Sequence, residues 1–147
     1  MPPDPSLRPR ILLASTQEAE LVLRRALRVL DADLLAAHRC ESALRWIAQG
    51  IDLMVCTMRF DESRMLDLAV TVERDGPHVP FVACRVLASE LPRPSLEAAF
   101  TAARELGAAA TVDLPRIARR EGAARAEEQL RRIVLANLHG VGYASMS

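Results

Sequence analysis

The chain has 147 residues, half of them hydrophobic, and its 19 acidic and 19 basic side chains cancel. That length and apolar content suit one domain with a buried core and exclude a disordered chain. Zero net charge excludes the broad basic field that nucleic acid requires, and no apolar run nears the roughly 20 residues of a membrane span.

Every basic residue is arginine; lysine is absent. Cysteines stand at 40, 56 and 84 without metal-ligand spacing, and His38, His78 and His139 are scattered, so no metal or cofactor is expected. Met1-Pro2-Pro3-Asp4-Pro5-Ser6 lacks the charged and apolar regions of a signal peptide and reads as a short disordered lead. A cytoplasmic protein follows from these features, with residues 1–8 as lead, 9–138 as the domain and 139–147 as a flexible tail.

Strand-like and helix-like blocks alternate, which predicts an α/β domain with a parallel sheet. Ile11-Leu12-Leu13-Ala14 is a first buried strand. Ser15 and Glu18 form a capping-box pattern, opening a helix with Val22, Leu23, Ala26, Leu27 and Leu30 inward. Asp33 to Ala37 is strand two, and a short helix carries Ala43, Leu44, Ile47 and Ala48 before Gly50 ends it. Gly50-Ile51-Asp52-Leu53-Met54-Val55-Cys56-Thr57-Met58 reads as a buried third strand with a polar exit. A helix from about Ser63 to Glu73 buries Leu66, Ala69 and Val72, and Asp75-Gly76-Pro77 breaks it. Pro80 to Cys84 is strand four, and Arg85 to Pro94 a long loop. Ser95 starts a helix with Leu96, Ala99, Phe100, Ala103 and Leu106 inward, and Gly107 stops it. Ala110 to Leu114 is strand five, and the last helix spans about Arg116 to Leu138.

The third-strand run resembles that of bacterial response-regulator receiver domains, Pro-Asp-Leu-Val-Leu-Leu-Asp-x-Met-Pro. Ala43-Leu44, Glu105-Leu106-Gly107-Ala108, Pro80 and Pro115 match further points of that family's pattern. The resemblance covers roughly Pro9 to Leu138. It implies a flavodoxin-like (βα)5 three-layer sandwich around a parallel five-stranded sheet of order 2-1-3-4-5. It also implies a phosphoryl-accepting aspartate, where this chain has Thr57, and a magnesium-binding acid pair, where it has Ser15 and Thr16. The hydroxyl residue expected after strand four is Arg85, and the lysine expected before the last proline is Leu114. These departures describe a pseudo-receiver, with the scaffold kept and the phosphorylation machinery gone.

Thr57 as a phosphate acceptor lacks a base and a metal, and reads better as a polar residue filling a collapsed pocket. Arg85 with Ser15, Thr16 and Thr57 could hold a small anion or nucleotide phosphate; the plainer reading is an arginine leaning out or paired with a loop acid such as Glu62. Asp61 and Glu62 read as a solvated turn at a helix start. Cys56 and Cys84 are expected on one face, in contact and unbonded. Trp46 reads as packed.

The function expected is therefore a non-enzymatic signalling or regulatory module acting by protein contact. Its partner would be a sensor kinase, an output protein or a second copy, and not nucleic acid or membrane. The surface expected to carry this is the face of the helix after Ser95, strand five and the last helix, with Thr111, Arg120, Arg131, Ile133 and Val134 on it. Two other classes stay open: a small-molecule sensor using the pocket around Arg85, and a receiver phosphorylated at a non-standard site.

Overall fold

The computed structural model describes residues 8–75, 78–89 and 93–138. Five parallel strands form one sheet in the order β2-β1-β3-β4-β5. They are β1 (Arg10–Ala14), β2 (Asp33–Ala37), β3 (Leu53–Thr57), β4 (Phe81–Arg85) and β5 (Ala110–Asp113). β3 and β4 are buried along their whole length, which is why both read as unbroken apolar runs instead of alternating ones.

The connecting helices are α1 (Gln17–Leu27), α2 (Cys40–Gln49), the single turn α3 (Phe60–Ser63), α4 (Met65–Asp75), α5 (Arg93–Glu105), α6 (Leu114–Glu121) and α7 (Ala123–Ala136). Alternation along each strand divides the core in two. Leu12, Ala14, Met54, Cys56 and Ala83 pack with α2, α4 and α5. Ile11, Leu13, Val55, Val82 and Cys84 pack with α1 and α7. The flavodoxin-like topology expected from the resemblance is thus the one observed.

Several local expectations are corrected. The cap of α1 is Thr16, whose Oγ1 accepts from the Ala19 amide at 3.2 Å, and not Ser15, which is buried at the exit of β1. Leu44 and Ala48 face solvent; the inner face of α2 is Cys40, Ala43 and Ile47. Cys56 and Cys84 lie on opposite faces because β3 and β4 are offset, with Cys56 level with Ala83 and Thr57 level with Cys84. Arg8, expected in the disordered lead, is tied to Asp31 and Asp33 and donates to the Ala32 carbonyl. The rest of the lead, the tail from 139 and the Gly76-Pro77 break lie outside the described residues.

The last helix departs most. It starts earlier than expected, with Leu114 as its first residue, and Gly122 divides it into α6 and α7. Gly122 has φ +97 and ψ 158, a combination that a side chain would forbid. Its amide still bonds the Ala118 carbonyl, and its own carbonyl accepts from Ala126, so the bend changes direction without orphaning either group. The break turns Ala126, Leu130 and Val134 of α7 onto the core beside α1. Each large apolar side chain so buried contributes about 1.5–3 kcal/mol. Arg25 pairs with Glu127 at 2.7 Å, and Arg131 donates to the Ala26 carbonyl at 2.9 Å, closing the α1–α7 seam.

Candidate functional site

Ligands of open α/β sheets bind where the strands end at their carboxyl edge. Ser15 follows β1, Thr57 ends β3, Arg85 ends β4 and Asp113 ends β5. Ser15 and Thr57 have no exposed surface, and neither hydroxyl has a hydrogen-bond partner among the described residues. They follow Ala14 and Cys56, which are level in the parallel pairing, so the two hydroxyl residues stand side by side. An unsatisfied buried hydroxyl costs about 1–3 kcal/mol.

Arg85 lies at the same edge but between Cys84 and Val86, both of which pack on the α1 side, so alternation turns it toward α5. There its Nη1 donates to Asp113 Oδ1 at 2.9 Å and its Nη2 to the Ala88 carbonyl at 2.7 Å. The side chains are only 8% and 13% exposed. Asp113 is level with Arg85 in the β4–β5 pairing, and its Oδ1 also accepts from the Arg116 amide, capping α6. The Arg85–Asp113 pair therefore joins the end of β4, the loop after it and the start of α6.

The five positions singled out in the sequence do not converge. Ser15 and Thr57 sit together on the α1 side, and Thr16 spends its hydroxyl as a cap. Leu114 is buried in the apolar layer beside α1 and α7. Arg85 faces the other way, held by Asp113 instead of solvent or Glu62. Asp113 was missed as a site residue. Its signal was present in the sequence, since an aspartate two residues before Pro115 is a helix-start pattern.

Asp61 was also given too little. Its Oδ2 accepts from the Cys40 amide at 2.8 Å, so it caps α2 from 21 residues away, where Arg39 offers no side-chain cap. That backbone hydrogen bond holds the Asp61 carboxyl below the usual aspartate range, helped by Arg64. To reach it, Asp61, Glu62 and Ser63 all take positive φ, between 46° and 70°. Left-handed backbone in non-glycine residues costs roughly 1–2 kcal/mol each. Buried Phe60 and the cap together hold the turn in place. Burial raises the Cys40 thiol to about 11, and burial pushes Cys56 up further, so neither is a ready thiolate.

The interface positions divide as well. Val134 is fully buried and Arg131 is engaged with α1, so neither is free surface as expected. Ile133 packs partly against the core, and Thr111 accepts from Arg104 at 2.9 Å. Arg120 is exposed.

Magnesium, which the fold implies in phosphorylating relatives, does not fit these residues. The acid positions hold neutral hydroxyls, and Asp113, at the same sheet edge, is already paired with a guanidinium. Hard cations need clustered anionic oxygen. Among the described residues no three His, Cys, Asp or Glu side chains cluster as a metal site would require.

No family model matches the chain, and no curated protein does. Solved structures do. The chain is similar to a response regulator receiver protein from Pseudoalteromonas atlantica at 20% identity and TM-score 0.66, covering 89% of this chain and 97% of that one. It is similar to a response regulator from Thermotoga maritima at 14% identity and TM-score 0.62, covering 86% and 98%. It is similar to a structure described as the signal receiver domain of a Luxo repressor protein from Vibrio parahaemolyticus at 13% identity and TM-score 0.65, covering 95% and 96%. The chain has the response-regulator receiver fold.

Proposed function

We propose that the chain is a receiver-type signalling or regulatory module that works through protein contacts without phosphoryl transfer. The observation that carries this is the Arg85–Asp113 ion pair. At the strand-four position where the family places a mobile hydroxyl residue, a buried guanidinium is clamped to strand five and to its own loop. Such a link joins the sheet edge to the start of α6 with no added phosphoryl group to pull it. Thr57, at the acceptor position, has a neutral hydroxyl with no hydrogen-bonded base among the described residues, and a hydroxyl needs one to become a nucleophile. The same ion pair weighs against the small-molecule reading, because the arginine charge that would attract an anion is already neutralised.

The test is an amide NMR titration with magnesium and then beryllofluoride, a phosphoryl mimic. The expected outcome is no saturable shift at Ser15, Thr57 or Arg85. Saturating shifts there would overturn the reading.

A further inference from the structure

On the α1 side of the sheet, away from α5, lies an open hollow of about 270 Å³. Four segments wall it: α1 with Val22, the loop after β4 with Leu87, α6 with Leu114 and Ala118, and α7 with Ala126. None of these side chains can donate or accept a hydrogen bond. The charged side chains bordering it, Arg25 and Glu127, stand 2.7 Å apart and neutralise each other. The hollow thus presents apolar side chains and no net charge.

Its walls are braced from outside. Arg85 Nη2 holds the carbonyl of Ala88, which borders the hollow, and Asp113 caps α6 through the Arg116 amide. The Arg85–Asp113 pair thereby fixes two walls at once. The positive-φ bend at Gly122 turns α7 off the line of α6, and Arg25 and Arg131 tie α7 to α1. Neighbouring segments ordinarily close such a space by packing. Leucine in place of Ala118 or Ala123 would fill it at nearly the same helix propensity. Segments braced around an unfilled apolar space have the preorganisation that a ligand site needs.

We infer that the hollow binds a small uncharged apolar molecule, which touches Leu87 and Leu114 and so bears on both walls that the Arg85–Asp113 pair joins. An apolar cavity of roughly 150 Å³ holds benzene, so this hollow has room for a larger body such as a fused two-ring compound. An anion is disfavoured because the Arg25 charge is already matched by Glu127. A polar ligand would give up hydrogen bonds to water that these side chains cannot replace. The inference goes beyond the proposed function, which names no input signal, and does not depend on it.

The experiment titrates the isotope-labelled full chain with indole and with hexanol, read as amide NMR shifts, with indole carboxylate as the charged control. The parent is compared with Ala118→Leu and Ala123→Leu, which fill the hollow. It is also compared with Leu21→Ser, which removes an exposed apolar side chain of α1 outside it. Each variant is checked for fold by circular dichroism. At least one neutral probe should give saturable shifts at Ala88, Leu114, Ala118 and Ala126. The carboxylate should bind more weakly. Each leucine variant should weaken binding about tenfold or more, because added carbons take the ligand's room. Leu21→Ser should leave binding unchanged.

The inference is overturned by no saturable shift with either neutral probe, by tighter binding of the carboxylate, by binding that survives the leucine variants, or by equal loss in Leu21→Ser. A dimer that Ala123→Leu dissociates in sedimentation would also overturn it, giving the hollow to a second copy. Ala123 is exposed, so its variant keeps the test valid if Ala118→Leu does not fold. A silent titration with indole and hexanol removes only the ligand and leaves the non-phosphorylated reading standing. Saturating beryllofluoride shifts at Ser15 and Thr57 remove that reading and leave the hollow's ligand in place.

Discussion

Arg85 and Arg116 both donate to one oxygen of the same carboxylate, Asp113 Oδ1, and are used in opposite ways. Arg85 is buried and donates its guanidinium to that carboxylate; Arg116 offers it only a backbone amide and leaves its guanidinium in solvent. The difference teaches how one residue type serves two ends. A buried guanidinium must be paired, because leaving it alone costs several kcal/mol, and it becomes a fixed strut. An exposed one needs no partner and stays available to another molecule.

The largest effect should come from breaking the strut. Arg85→Ala leaves Asp113 mostly buried and unpaired, and should lower unfolding free energy by roughly 3 kcal/mol in urea denaturation. Replacing both residues with apolar ones of similar volume should restore most of that loss. If Arg85→Ala proves neutral, the pair is not the strut described.

Next in size is the bend that aims α6. Gly122→Ala forces a side chain into a conformation reserved for glycine, at about 1–3 kcal/mol, although nothing lies within 4 Å of the added methyl group. A thermal or denaturant midpoint checks this, and an unchanged midpoint would mean that the bend relaxes.

The Asp61 cap should be worth about 1 kcal/mol, read as the loss in Asp61→Ala. Its carboxyl titrates lower in the folded chain than its ordinary 3.8. Its contribution is therefore complete above that value and disappears as pH falls through the depressed folded one. The Asp61→Ala variant should then lose less of its stability on acidification than the parent across that window.

Thr57→Val removes an unpartnered buried hydroxyl with little change of shape, and should leave stability unchanged or raise it by about 1 kcal/mol. A marked loss would reveal a partner for that hydroxyl. The smallest effect sharpens the opening contrast. Arg116→Glu should stabilise α6 by about 0.3–1 kcal/mol, read as a raised denaturant midpoint, since it puts a negative charge in the first turn. A gain in stability on charge reversal is what an exposed, unpaired arginine should show, and a strut such as Arg85 should never show it.

The strands, the helix on each connection and most of the core were legible because they rest on periodicity within short windows, whereas the sheet order was implied by the receiver resemblance. The buried runs of β3 and β4, the turn at Gly50 and the inner face of α1 are local patterns. That positions 15, 16 and 57 hold hydroxyl residues where the resemblance implies acids was also legible, being a matter of residue type. The break at Gly122 was missed because good helix formers flank a single glycine, and the core contacts of Leu130 and Val134 decide where the chain turns.

What only the tertiary structure decided was which side chains meet across the strands. The one-residue offset of β3 against β4 sets Cys56 and Cys84 on opposite faces, and it separates Thr57 from Arg85. The level pairing of Arg85 with Asp113 made the ion pair, and the approach of the β3 loop to α2 made Asp61 a cap. Alternation assigns a face within one strand, but register between strands is a property of the packed sheet. A slip of one residue moves every side chain to the other side.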